Sequence, residues 1–126
     1  MLSNGRLTAF LATANARRSK AFYRGKLRLR FVSEDKFALL FDCKGVPLRI
    51  QKVETLKPHS FTALGWQVRG LRRVMAGLVK RGVVFERYSF LKQDDEGVWL
   101  APSGTRVAWF KDPDGNLLSV SESGSA

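Results

Sequence analysis

Short runs of alternating apolar and polar residues, punctuated by glycine, set the layout of this chain. Leu7 to Thr13 fits a first strand, and Asn15 is placed to cap a helix from Ala16 to about Arg24 that Gly25 would end. Lys26 to Val32 alternates with period two, with Lys26, Arg28 and Arg30 on one face and Leu27, Leu29 and Phe31 on the other, which predicts a half-buried strand. Phe37 to Phe41 and Val46 to Val53 predict two more strands around a turn at Asp42-Cys43-Lys44-Gly45. Thr55 to Ser60 reads as a linker. Beyond it, Phe61 to Val68 predicts a strand, and Leu71, Val74, Met75, Leu78 and Val79 recur at helical spacing up to Gly82. Val83 to Tyr88 predicts a further strand, followed by the acidic loop Gln93-Asp94-Asp95-Glu96-Gly97.

The last stretch, Arg106 to Val120, predicts a β-hairpin. Asp112-Pro113-Asp114-Gly115 carries an Asx acceptor, a proline with preset φ and a glycine where φ must be positive, so the turn closes with a bulge. Counting outward from Asp112 opposite Asn116 places Trp109 opposite Ser119. Each half of the chain therefore reads βαβββ. The spacings agree, since Gly45 to Arg49 matches Gly115 to Ser119 and Thr8 to Asn15 matches Ala63 to Gly70. The fold class expected is α+β, one domain of two modules at about residues 1–54 and 61–126 joined by a linker at about 55–60.

Composition narrows the chemistry. Nine Phe and three Trp in 126 residues supply a core without staples, and the single Cys43 excludes an internal disulfide. One histidine excludes a Cys/His zinc set. The apolar run Leu7 to Ala14 is short and interrupted by threonines, which suits a strand better than a signal peptide, and no run approaches a membrane span. A cytoplasmic location and no membrane partner are expected. Charge adds a second theme: the net charge is +11, and residues 1–33 hold Arg6, Arg17, Arg18, Lys20, Arg24, Lys26, Arg28 and Arg30 with no acid among them. Such a lobe draws anions, nucleic acid or an anionic membrane surface, or is a solvated face. No zinc finger, RNP-like or G-x-x-G motif points to nucleic acid, so it is not the partner expected.

Three segments carry a resemblance. Asn15-Ala16-Arg17-Arg18-Ser19-Lys20-Ala21-Phe22-Tyr23, Gly97-Val98-Trp99-Leu100-Ala101-Pro102-Ser103-Gly104 and Val107 to Asn116 together resemble the vicinal oxygen chelate superfamily of glyoxalase I, extradiol dioxygenases and the bleomycin- and fosfomycin-resistance proteins. The resemblance implies two βαβββ modules, each a mixed-sheet half-barrel, enclosing a pocket, and it allows a homodimer. It also implies one divalent metal held by His or Gln and Glu from the first and last strands of each module. The helix and turn landmarks put Thr8, Arg49, Ala63 and Ser119 at those positions, none a usual ligand, and the guanidinium of Arg49 repels a cation. No metal, no cofactor and no catalytic residue is therefore nominated. A metal-dependent lyase, isomerase or dioxygenase stays as the enzyme alternative, and an anion-surface or nucleic-acid binder as a further one.

What remains is a small-molecule site. Strand alternation nominates Thr8, Phe10, Arg49 and Gln51 with partners Leu39 and Phe37, together with Ala63, Gly65, Ser119 and Trp109. Aromatic walls offer stacking area, and Arg49 offers a bidentate contact to a carboxylate or phosphate unless an acid such as Asp42 or Glu86 takes it. The expected ligand is an aromatic or amphipathic anion. A cationic drug of the bleomycin kind fits such a site poorly.

Overall fold

Alternation in the sequence becomes two four-stranded mixed sheets of the same topology. The computed structural model describes residues 1–124, so the last two residues of the expected second module lie outside them. The chain divides into two compact units, Met1–Pro58 and His59–Ala126. In the first, β1 (Ala9–Thr13), β2 (Arg30–Glu34), β3 (Ala38–Cys43) and β4 (Val46–Lys52) lie in the order β1-β4-β3-β2. In the second, β5 (Leu64–Gln67), β6 (Trp99–Leu100), β7 (Arg106–Lys111) and β8 (Leu117–Glu122) lie in the order β5-β8-β7-β6. The first and last strands of each unit pair parallel, and the other neighbours pair antiparallel.

One face of each sheet is covered by its helix. In the first unit Leu11, Leu39, Phe41, Leu48 and Ile50 are buried, and Tyr23 from the helical segment packs its ring 6.0 Å from Phe41. In the second, α2 (Leu71–Lys80) buries Leu71, Met75 and Leu78 and packs on β8, where Leu118 and Val120 are buried. At about 1.5–3 kcal/mol for each large apolar side chain removed from water, these sets dominate the stability of their units.

Three expectations are corrected. The first helix does not stop at Gly25. Capped by the Asn15 side chain, which accepts from the Arg18 N–H, α1 (Ala16–Lys20) widens into a π-helical turn over Ala21–Lys26. The Leu27 N–H bonds to the Phe22 carbonyl, and Arg28, at φ 58°, takes the left-handed conformation that ends the element. The wider turn lets the adjacent Phe22 and Tyr23 both be buried. Lys26 to Leu29 is consequently not strand, and β2 starts at Arg30.

The second correction concerns the β3–β4 hairpin. Lys44 and Gly45 both have positive φ (51° and 90°), which makes a two-residue turn with Cys43 opposite Val46. The expected bulged turn would have placed Asp42 opposite Val46. One residue less in the loop moves every β3 side chain to the other face.

The third is the predicted strand Val83–Tyr88, which pairs only through Phe85 opposite Phe110 and a Glu86 N–H bond to the Trp109 carbonyl. The Gln93 side chain occupies the other backbone groups there, accepting from Tyr88 N–H and donating to the Glu86 and Gly97 carbonyls. The edge of β7 is therefore shared by two short pieces, with β6 alongside Arg106 and Val107.

Candidate functional site

The face of each sheet turned away from its helix carries the candidate residues. In the first unit Phe10 pairs with Arg49 across β1 and β4, and Arg49 pairs with Leu40 across β4 and β3, so the three side chains share a face. Phe10 is 54% exposed, whereas Arg49 is half-buried. Gln51, exposed two residues along, pairs with Ala12 and Ala38. Thr8 lies half-buried just before β1. Leu39 is not a partner of Arg49: the two-residue turn puts it opposite Ile50, fully buried beneath the helix. Phe37 precedes β3 rather than pairing with Gln51; its carbonyl accepts from Lys52 N–H and its side chain is 70% exposed. Leu40 is the residue the sequence reading missed, because only the turn length decides between it and Leu39.

The guanidinium of Arg49 makes no hydrogen bond or ion pair among the described residues. The acids proposed for it are engaged elsewhere, Asp42 with Arg30 at 3.8 Å and Glu86 with Lys111 at 3.7 Å. Its electrostatic neighbour is Asp35, whose carboxyl is held below the usual range first by the Phe37 and Ala38 N–H groups and, after the opposing effect of desolvation, by the Arg49 charge. That carboxylate is thus already committed to two backbone donors.

In the second unit Gly65, Ser119 and Trp109 stand in register across β5, β8 and β7. Asp112 builds the turn that sets this register. Its carboxylate accepts from the N–H groups of Asp114 and Asn116 and from the Asn116 side chain, while Gly115 takes φ 91°. A Cβ on Gly65 would overlap the Ser119 hydroxyl, which would have to turn away. The Ser119 hydroxyl thus occupies the space beside Gly65. Ala63, exposed before β5, donates its N–H to the Leu117 carbonyl.

Around Trp109 stands an aromatic group that the sequence reading gathered only in part. The rings of Trp99 and Trp109 are 6.0 Å apart, and Tyr88 meets Trp109 edge-on at 5.8 Å with Phe90 beyond it at 5.4 Å from Tyr88. The Trp109 indole N–H donates to the Thr62 hydroxyl at 3.1 Å. Desolvation, followed by the nearby Glu86 charge, raises the Tyr88 phenol above its ordinary value, so it stays a neutral donor. Trp99 shares the face of Trp109 because β6 pairs Trp99 with Val107. A two-residue strand has no periodicity from which that facing can be read.

Solved structures share this fold over nearly their whole length. A member of the glyoxalase/bleomycin resistance protein/dioxygenase superfamily from Sphaerobacter thermophilus DSM 20745 superposes with a TM-score of 0.75 at 20% identity, over 97% of this chain and 99% of that one. A glyoxalase/bleomycin resistance protein/dioxygenase from Alicyclobacillus acidocaldarius gives 0.72 at 17% identity, over 97% and 93%. The chain has the glyoxalase/bleomycin resistance/dioxygenase fold. A lactoylglutathione lyase from Agrobacterium tumefaciens also shares it, with a TM-score of 0.69 at 16% identity over 94% and 93% of the two chains. No family model matches the chain, and no curated protein matches it.

The donor chemistry of this version of the glyoxalase fold does not fit a divalent metal. The paired first and last strands offer Phe10 and Arg49 in one unit and Gly65 and Ser119 in the other, flanked by Thr8 and Ala63. Among these only two hydroxyls are donors, and Arg49 opposes a cation. Among the described residues no group of three or more His, Cys, Asp and Glu side chains is arranged to hold a metal ion. Among them, too, no helix is long and apolar enough to cross a membrane.

Proposed function

We propose that this chain is a small-molecule binding protein of the glyoxalase-fold type that takes an aromatic or amphipathic anion without a metal, in a cytoplasmic setting. One observation carries the reading: the Arg49 side chain is half-buried beside the exposed ring of Phe10 and makes no ion pair or hydrogen bond among the described residues. The one nearby carboxylate, Asp35, is already bonded to two backbone N–H groups, which leaves the guanidinium fork open to the carboxylate or phosphate of a ligand. The ring of Phe10 offers a stacking surface next to the cation, while Gln51 extends the polar edge. On the second unit, the Trp99, Trp109 and Tyr88 group offers apolar contact area of the kind small-molecule sites use.

Thermal-shift screening with benzoate, naphthoate and phenyl phosphate tests the reading. Stabilisation by at least one of them is expected, with Arg49→Ala weakening its binding about 10- to 100-fold, the range of a charge-assisted hydrogen-bonded pair. Equal affinity in the variant, or no stabilisation by any anionic aromatic, removes the anion claim. Elemental analysis of untagged protein addresses the metal-dependent lyase, isomerase or dioxygenase alternative. A stoichiometric, tightly held divalent ion there overturns the metal-free reading.

A further inference from the structure

On the first unit, away from the face that carries Arg49, the wall of the α1 and π-helical segment forms an open groove of about 520 Å³. Arg17, Lys20 and Arg24 line it, together with the small residues Ala21 and Gly25. Those positions are three, four, seven and eight residues apart, so the cations stand on one side of the segment. Two of them are held in place rather than loose. The Lys20 ammonium lies 4.4 Å above the Phe31 ring, and the Arg24 guanidinium lies 5.3 Å from the same ring. Glu34 is the acid nearest to Lys20, at 3.4 Å, but its stronger contact is with Lys52, at 2.8 Å. Arg17 and Arg24 are exposed, and so are the neighbouring Arg18 and Arg28. No acidic residue occurs before Glu34 to neutralise this field.

We propose that this groove binds the phosphate backbone of nucleic acid, without reading its sequence. Arg17 to Arg24 covers about 10 Å along a helix, long enough for the cations to meet successive phosphates of one strand. Ala21 and Gly25, which also line the groove, offer no hydrogen-bonding side chain, so nothing cages a lone phosphate; the cations would hold a chain by repeated charge contacts. An anionic membrane fits less well, because a surface helix needs an apolar face for the lipid. Here the apolar residues of the segment, Phe22 and Tyr23, are buried, and Phe31 lies beneath the cations. The absence of a nucleic-acid motif in the sequence does not count against this site, since backbone contacts need none.

Fluorescence anisotropy with labelled mixed-sequence single-stranded oligonucleotides tests the proposal. Three phosphate contacts predict binding that weakens roughly 20-fold between 50 and 200 mM NaCl, with little dependence on sequence. Arg17→Gln with Arg24→Gln is expected to reduce the salt slope to about a third and to weaken binding at 50 mM. Lys57→Gln with Lys80→Gln removes the same charge elsewhere and is expected to leave the slope unchanged. Circular dichroism and Tm confirm that both variants fold, and the salt slope of the unaltered protein stands even if one does not. The proposal is overturned by absence of binding at 50 mM NaCl, by equal losses in the two variants, or by full displacement with millimolar inorganic phosphate. Retention on phosphatidylserine vesicles without oligonucleotide binding would likewise overturn it.

Discussion

Ser19 shows how one residue can run against its surroundings. It is fully buried in α1, and its hydroxyl finds no partner among the described residues. A buried hydroxyl without a partner forfeits its hydration, a cost of about 1–3 kcal/mol, whereas the methyl of alanine does not. Alanine also suits a helix better than serine. Ser19→Ala is therefore expected to stabilise the protein by about 1 kcal/mol, read as a higher urea midpoint at unchanged m-value. A lower midpoint would mean that the hydroxyl has a partner, such as a bound water. At this scale the sequence was legible where a residue's chemistry fixes its job. Asp112 and Gly115 were assigned to the turn and sit in it, and Trp109 stands opposite Ser119 as counted. Leu39 and Leu40 are chemically identical, so only the loop that precedes Val46 could separate them.

Elements were legible in kind and order, and less so at their ends. The Asp-Pro-Asp-Gly hairpin declares its geometry through side-chain chemistry, whereas Lys44-Gly45 makes a two-residue turn with a lysine in the left-handed region, which propensity does not announce. Val83–Tyr88 was expected as a strand, but a side chain, Gln93, competes for that backbone, and the short β6 takes part of the β7 edge. Helix α2 depends on a contact no local pattern encodes. Its N-cap residue is Gly70, which has no capping side chain, and the Glu122 carboxylate at the end of β8 accepts from the N–H groups of Gly70 at 2.8 Å and Leu71 at 3.1 Å. Those two bonds hold the Glu122 pKa below its ordinary value. A carboxylate so depressed contributes stability that is full above its unfolded pKa, about 4.3, and is lost as pH falls through the lower folded value. Glu122→Gln is thus expected to lower Tm at pH 7, where the negative charge at the helix start is missing, and to flatten the fall of Tm below about pH 4.3. Parallel pH profiles for the two proteins would show that Glu122 is not the cap.

At the scale of the whole molecule, charge sets two opposed contributions, and their balance can be measured. Surface pairs such as Arg72 with Asp94 at 2.7 Å and Lys52 with Glu34 at 2.8 Å attract, but pairs of this kind contribute about 0–1 kcal/mol each and are screened by salt. Against them stands repulsion among 22 basic side chains facing only 11 acidic ones. Much of that repulsion acts over distances longer than an ion pair, and the screening length shrinks from about 30 Å at 0.01 M salt to about 10 Å at 0.1 M. Moderate salt therefore removes more repulsion than attraction. Tm at pH 7 is expected to rise between 20 and 200 mM NaCl, and to rise less in a protein carrying Arg17→Gln and Arg24→Gln, because the acid-free segment before Glu34 concentrates the repulsion. Sodium sulfate at matched ionic strength separates general screening from anion binding: equal shifts mean screening alone, and an excess from sulfate that disappears with Arg17→Gln and Arg24→Gln means that those cations hold the ion, since the general stabilising effect of sulfate would remain. A Tm that falls with NaCl would instead make the ion pairs the larger contribution, and the positive charge of the first unit would then stabilise the fold rather than strain it.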